Sequence, residues 1–308
     1  MNNPFIHWIK KHDILVFFVI VFLLMWPRAI VEAAVSLDML PAPSSPMATT
    51  LTVLYLIGTP MIAAITVTAA TLGRVGLKDF FARVFRWRVA WQWYLVALFL
   101  YPLVTLIAFT LSDLIAGSAW SVPTMWKTGF EDIRASAVQL GISPNNTLQI
   151  FAILFIVSIL VPIFEELGWR AFAVPRLQEK HSSLYAALVV GVIWAVWHLP
   201  NFFTKGTDHY GMSFIWFLLT ITAGSILMVW IMNHTNQSVL LPILFHGSII
   251  LAGHFLPAQL AHLTGNYMAL WLTCALLVAT ALGVVVFYGP QRLTRHEKER
   301  ASPRAAAV

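Results

Sequence analysis

Charge is scarce in this chain. Its 308 residues hold 19 Lys and Arg and 13 Asp and Glu, 10% in all, against about 25% in a soluble domain. A water-soluble chain of this length covers its surface with polar groups, and these are too few to do so. Lipid must be the solvent for much of the surface. Cysteine is nearly absent as well. The lone Cys274 lies within an apolar run, so no intrachain disulfide forms and no redox compartment follows; it reads as packing rather than as a nucleophile. Strand-like alternation is missing, and open sheets cannot span lipid, which leaves helices. No small-residue cleavage pattern follows the first apolar run, Ile14 to Trp26. Pro27 and Arg28 come next, then apolar Ala29 to Val35, so this stretch reads as a retained first span kinked near Pro27. Internal repeats and a second domain are also lacking. Residues 1–308 therefore read as a single integral membrane domain with a loosely ordered polar tail over about 290–308.

What is present is hydrophobicity, 59% of all positions. A spanning helix needs about 20 mostly apolar residues, and eight stretches qualify: Asp13–Val35, Thr50–Leu72, Trp91–Ile115, Leu148–Val174, Leu184–Phe203, Met212–Met232, a short Val239–Phe255, and Tyr267–Tyr288. The net charge of +6 invites a nucleic-acid reading, which the distribution excludes. Basic residues gather at the ends and in alternate loops: Lys10 and Lys11; Arg74, Lys78, Arg83, Arg86 and Arg88; Arg176 and Lys180; then Arg292, Arg295, Lys298, Arg300 and Arg304. The intervening loops are neutral or acidic, with Asp38 in the first and Lys127, Glu131, Asp132 and Arg134 in the third. The positive-inside rule then places both termini in the cytoplasm and requires an even number of spans. The plasma membrane is the expected location. Leu77 to Trp93 mixes cations with aromatics at helical spacing, as an interfacial helix, an elbow into span three, or an ordinary basic loop would.

Three ionisable residues do not belong in lipid. Span four holds Glu165, Glu166 and Arg170, which together cost on the order of 8–10 kcal/mol if isolated. Such residues mark a functional site by default. Glu166 and Arg170, four apart, share a face with the acid N-terminal to the base. Glu165 is rotated about 100° away and has no cation at i+3 or i+4, which suits a general base. A buried ion-pair cluster that only fixes helix packing explains Glu166 and Arg170 but leaves Glu165 without a role. His198 in span five and His246 in span seven are the other intramembrane polar groups. At 1.5 Å per residue, Glu165, His198 and His246 lie ~16, ~18 and ~9 Å from the cytoplasmic face, close enough to converge with helix tilt.

Glu165-Glu166-x-x-x-Arg170, then Trp194-x-x-x-His198, then His246, resemble the ordered motifs of the CAAX protease and bacteriocin-processing family, whose eukaryotic members trim prenylated CAAX proteins. The likeness runs almost continuously from Glu165 to Phe203 and extends through span seven, with a core region of about 146–257. It implies an all-α bundle of about eight transmembrane helices around a conical cavity open to the cytoplasm. It also implies hydrolysis of a peptide bond in a membrane-associated or lipid-modified protein. In the implied roles, Glu165 activates water, His198 and His246 position it or stabilise the oxyanion, and Glu166 and Arg170 support them. Two departures stand out. Trp194 replaces the usual Phe, a change read as packing rather than chemistry. Ile250 stands where the family commonly has Asn or Asp, so Asn201 substitutes for that group, or the oxyanion site is weaker, or the member is inactive. The zinc signature His-Glu-x-x-His is absent, since His296-Glu297-Lys298-Glu299-Arg300 lacks the second His. No cofactor is expected; if a metal such as zinc is used, Glu165, His198 and His246 are its ligands. The expected partners are a peptide or lipid-modified protein and the bilayer, with no nucleic acid. Other readings are a non-catalytic immunity or partner-binding protein on the same scaffold, or a proton-coupled carrier, which lacks the usual inverted repeat.

Overall fold

The computed structural model describes residues 4–41, 46–116, 127, 129–131, 134, 143, 145–256 and 267–295. The expected tail falls largely outside the described residues, as do His262 and the 296–300 segment. Among the described residues the chain forms helices and no strands. A short α1 (Pro4–Lys11) leads into α2 (Asp13–Ser36), α3 (Pro46–Val84) and α4 (Gln92–Ala116). The helix α5 (Thr147–Gly168) continues through a π-helical turn, Trp169–Ala173, into α6 (Val174–Gln178). Then follow α7 (Ser183–Trp197), a 3-10 turn (Leu199–Phe203), α8 (Phe214–His234), α9 (Leu240–Phe255) and α10 (Tyr267–Tyr288).

Among the described residues, seven helical segments are long and apolar enough to cross a membrane: Asp13–Ser36, Gly58–Val84, Gln92–Ile115, Thr147–Gln178, Ser183–Phe203, Phe214–His234 and Tyr267–Tyr288. The remaining apolar helix, Leu240–Phe255, has only 16 residues and a rise of ~24 Å. The chain is a polytopic helical membrane protein. Pro27 sits inside α2, which continues to Ser36, so the first span is one helix. The second span breaks at Gly73, whose φ of 61° and ψ of −151° are not helical; this left-handed conformation is open to glycine. Beyond Gly73 a helical arm runs to Val84, and irregular chain from Phe85 leads to α4. The Leu77–Trp93 segment is thus helix in its first half and elbow in its second. That elbow is tied to the loop before α9: Val239 N–H donates to Arg83 O (3.0 Å) and Ser238 Oγ to Arg86 O (2.7 Å).

Helix α5 lies between α3 and α9, α7 packs along α8, and α4 backs both α9 and α10. Small residues set how closely these helices meet, as is common where lipid supplies no hydrophobic drive for association. A Cβ at Gly168 would stand 2.4 Å from Pro60 Cβ of α3, and one at Gly247 would stand 2.4 Å from the Ser158 carbonyl oxygen of α5. Aromatic packing fixes α2 on the turn after α5: Phe17 stacks on Phe172 with centroids 4.7 Å apart and meets Trp169 edge-on at 5.8 Å. Arg176, read from sequence as a loop cation, is buried. Its Nε donates to Asp13 Oδ2 at 3.0 Å and its guanidinium lies 3.6 Å from the Phe172 ring centroid. Cys274 is buried and unoxidised, packed with Trp216, Phe217 and Leu270.

Candidate active site

The last turn of α5 presents Glu165 and Glu166, and the π-helical turn that follows presents Arg170. One extra residue per turn is a device concentrated at functional sites, and nothing in the residue pattern announced it. Glu166 and Arg170 are both 0% exposed. Arg170 Nη1 donates to Glu166 Oε1 at 3.1 Å and lies 3.0 Å from Oε2, the i,i+4 pair expected from the spacing. The same Oε1 accepts from His246 Nδ1 of α9 at 2.9 Å. Glu166 therefore bridges α5 to α9, a partner that helix geometry alone did not suggest.

Glu165, 3% exposed, is joined to α7. Trp194 Nε1 donates to its Oε2 at 2.6 Å, and Oε1 accepts from none of the described residues. Replacing Phe by Trp at this position is thus a change of chemistry, correcting the sequence reading of packing alone. Trp194 stands at the centre of the cluster. The Arg170 guanidinium lies 4.5 Å from its ring centroid, His246 meets it edge-on with centroids 5.2 Å apart, and its carbonyl accepts from His198 Nδ1 at 2.9 Å. The i,i+4 spacing of Trp194 and His198 already put them on one face.

Each imidazole thus has an oxygen acceptor at Nδ1, which places the ring proton there and directs Nε2 away from the support. Neither Nε2 bonds to a described residue, and the two rings keep 9% (His198) and 8% (His246) exposure. The histidines form the more exposed side of the cluster; Glu166 and Arg170 form its sealed back. His209 lies in the loop before α8. It stacks on His198 with centroids 5.2 Å apart at 28°, and packs against Phe202 and Phe217. Burial of the ring pushes its pKa down to about 4, partly opposed by Asp208. No local sequence signal marks this contact, which tertiary folding alone creates.

Asn201 lies in the 3-10 turn, where its backbone N–H donates to His198 O at 2.9 Å and its carbonyl accepts from Thr207 Oγ1 at 2.8 Å. Ile250 is half-buried one turn beyond His246 on α9. As placed, no three His, Cys, Asp or Glu side chains among the described residues are grouped to hold a metal ion. Glu165, His198 and His246 do not fit that role in this arrangement. A cavity of about 680 Å³ lies elsewhere, between α4, α5 and α9, lined by Pro102, Phe151, Leu251 and Phe255 with Lys127 and Phe130.

Residues 147–252 match the family model described as Type II CAAX prenyl endopeptidase Rce1-like. The matched region contains every side chain of the cluster, Glu165, Glu166, Arg170, Trp194, His198, His209 and His246. Among curated proteins, CAAX prenyl protease 2 of Methanococcus maripaludis is 34% identical over 94 residues, 29% of this chain and 35% of the relative. Lysostaphin resistance protein A of Staphylococcus haemolyticus is 25% identical over 99 residues, 32% of this chain and 26% of that protein. The chain thus spans about a third or less of the length of these relatives.

Proposed function

We infer, from the match of residues 147–252 to the Rce1-like type II CAAX prenyl endopeptidase family model, that this chain is an intramembrane protease. In this reading it hydrolyses a peptide bond in a membrane-associated or lipid-modified protein. The observation that carries it is one connected cluster drawn from α5, α7 and α9, in which Glu165 Oε1 and the Nε2 atoms of both histidines have no hydrogen-bond partner among the described residues.

In this proposal Glu165 Oε1 takes a proton from water as the water oxygen attacks the scissile carbonyl carbon, and later returns that proton to the leaving amine as the C–N bond breaks. Nε2 of His198, an acceptor in the tautomer its carbonyl contact selects, orients the same water. His246 faces the carbonyl oxygen as the imidazolium, its Nδ1–H donating to the Glu166 carboxylate and its Nε2–H to the oxygen as negative charge develops there. Arg170 holds Glu166 in place. Asn201, close to His198 in sequence, is the polar side chain proposed to compensate for Ile250. The core protease unit comprises about 146–257 within a single membrane domain. The bundle sits in the plasma membrane with both termini in the cytoplasm.

Purified Glu165→Ala, compared with wild type on a panel of peptides and lipid-modified peptides in lipid nanodiscs, tests the assignment. Loss of at least about 100-fold in kcat is expected for removal of a general base. Equal turnover by the two proteins would remove Glu165 from the chemistry.

A further inference from the structure

Trp194 does more than fill space. Among the described residues, Nε1 of Trp169 and of Trp197 are both buried without a protein partner. Trp194, equally buried at 1% exposure, instead spends its N–H on the one carboxylate of the site that lacks a cation, at 2.6 Å. The ring cannot turn away from that bond. Arg170 covers its face at 4.5 Å and the His246 ring meets it edge-on at 5.2 Å. Its main chain holds the second site residue, through the carbonyl that accepts from His198 Nδ1 at 2.9 Å.

We propose that Trp194 is a positioning residue whose indole N–H pins Oε2 of Glu165 and so presents Oε1 to the reacting atoms, in register with the imidazole its own carbonyl orients. A carboxylate on a flexible two-carbon stem has several rotamers, and a donor fixed on Oε2 leaves Oε1 as the oxygen free to meet the reacting atoms. A fixed donor selects that rotamer before substrate arrives, which is the preorganisation that lowers a barrier rather than tightening binding. The inference rests on the proteolytic reading above and assigns a separate residue within it.

The test uses the full-length protein in nanodiscs and two replacements. Trp194→Phe keeps an aromatic face for Arg170 and removes the donor. Site-specific incorporation of benzothienylalanine at 194 keeps the bicyclic shape and substitutes sulfur for N–H, so that folding is preserved should Phe prove too small. Both are expected to lower kcat by about 10- to 100-fold, the scale of one hydrogen bond to a charged group, with KM within about twofold of wild type. The benzothienyl protein is expected to keep the wild-type elution profile. Unchanged kcat in that protein, or a rise in KM alone, overturns the inference. A wild type that cleaves no peptide in the panel sinks the proteolytic reading instead. In that event a thermal-unfolding cycle of Trp194→Phe with Glu165→Leu decides the positioning claim: coupled losses support it, and additive losses overturn it.

Discussion

Two adjacent carboxylates, Glu165 and Glu166, are given opposite surroundings by a rotation of about 100°. Glu166 is spent on Arg170 and His246, while among the described residues one oxygen of Glu165 has no hydrogen-bond partner. That division was legible in the sequence, because a cation four residues on exists for one and not for the other. The role of Trp194 was only half legible: its face was set by spacing, its bond by a helix 29 residues away. His209 was not legible, and it carries a pH dependence. Its pKa in the folded protein is about 4, below the 6.5 of an unfolded histidine. The unfolded chain therefore binds the extra proton first as pH falls. The stability linked to this ring is fully present above about pH 6.5 and drains away as pH drops through about 4. Thermal unfolding between pH 7.5 and 4 is expected to show a steeper loss for wild type than for His209→Phe, which keeps the packing against Phe202 and Phe217 without the titrating group. Parallel curves would show that the ring does not titrate in this window.

At the level of helices, the site depends on how near α9 comes to α5. Gly247 follows His246 directly, and a methyl group there would meet the Ser158 carbonyl oxygen at 2.4 Å. Backbone cannot retreat as a flexible side chain can. Gly247→Ala is expected to destabilise by about 1–3 kcal/mol and to lower turnover by widening the gap that the 2.9 Å Glu166–His246 bond spans. Gly224→Ala on α8, where an added Cβ meets nothing within 4 Å, is the matched control. The thermal midpoint and cleavage rate of the two proteins separate crowding from a generic helical substitution; equal behaviour would mean α9 can shift freely. The eight apolar stretches anticipated nearly every helix, since length and hydropathy are local properties. The π-helical turn at Trp169–Ala173 and the break at Gly73 were not anticipated. The first carries Arg170 of the buried cluster and has no local sequence signal, and a glycine inside an apolar-to-basic transition is compatible with a loop as much as with a sharp bend.

Across the whole molecule, the alternation of basic and non-basic loops is the property that fixes orientation. Burial of Arg176 against Asp13 removes one cation from that tally, yet the elbow retains Arg74, Lys78, Arg83, Arg86 and Arg88 and the bias stands. Reporter domains fused to either end are expected to read as cytoplasmic, and a periplasmic or extracellular signal from either would invert the proposed topology. Composition and loop charge needed no contact information to reach this far. The meeting of α5, α7 and α9 did need it, because helices separated by dozens of residues find one another through packing that no local pattern records.

The shortness of α9 bears on how a hydrolase can work inside lipid. Sixteen residues rise ~24 Å, about 6 Å less than a hydrocarbon layer about 30 Å thick. The deficit has to be met by drawing polar chain inward or by thinning the leaflet around it. The stretch ahead of Leu240, bonded to the Arg83–Arg86 elbow, is where polar backbone is available to do this. His246 lies only six residues past the helix start, ~9 Å along the axis. For the proposed hydrolysis, solvent and an extended peptide would have a brief descent to the imidazole, with no need for a passage through the whole bundle.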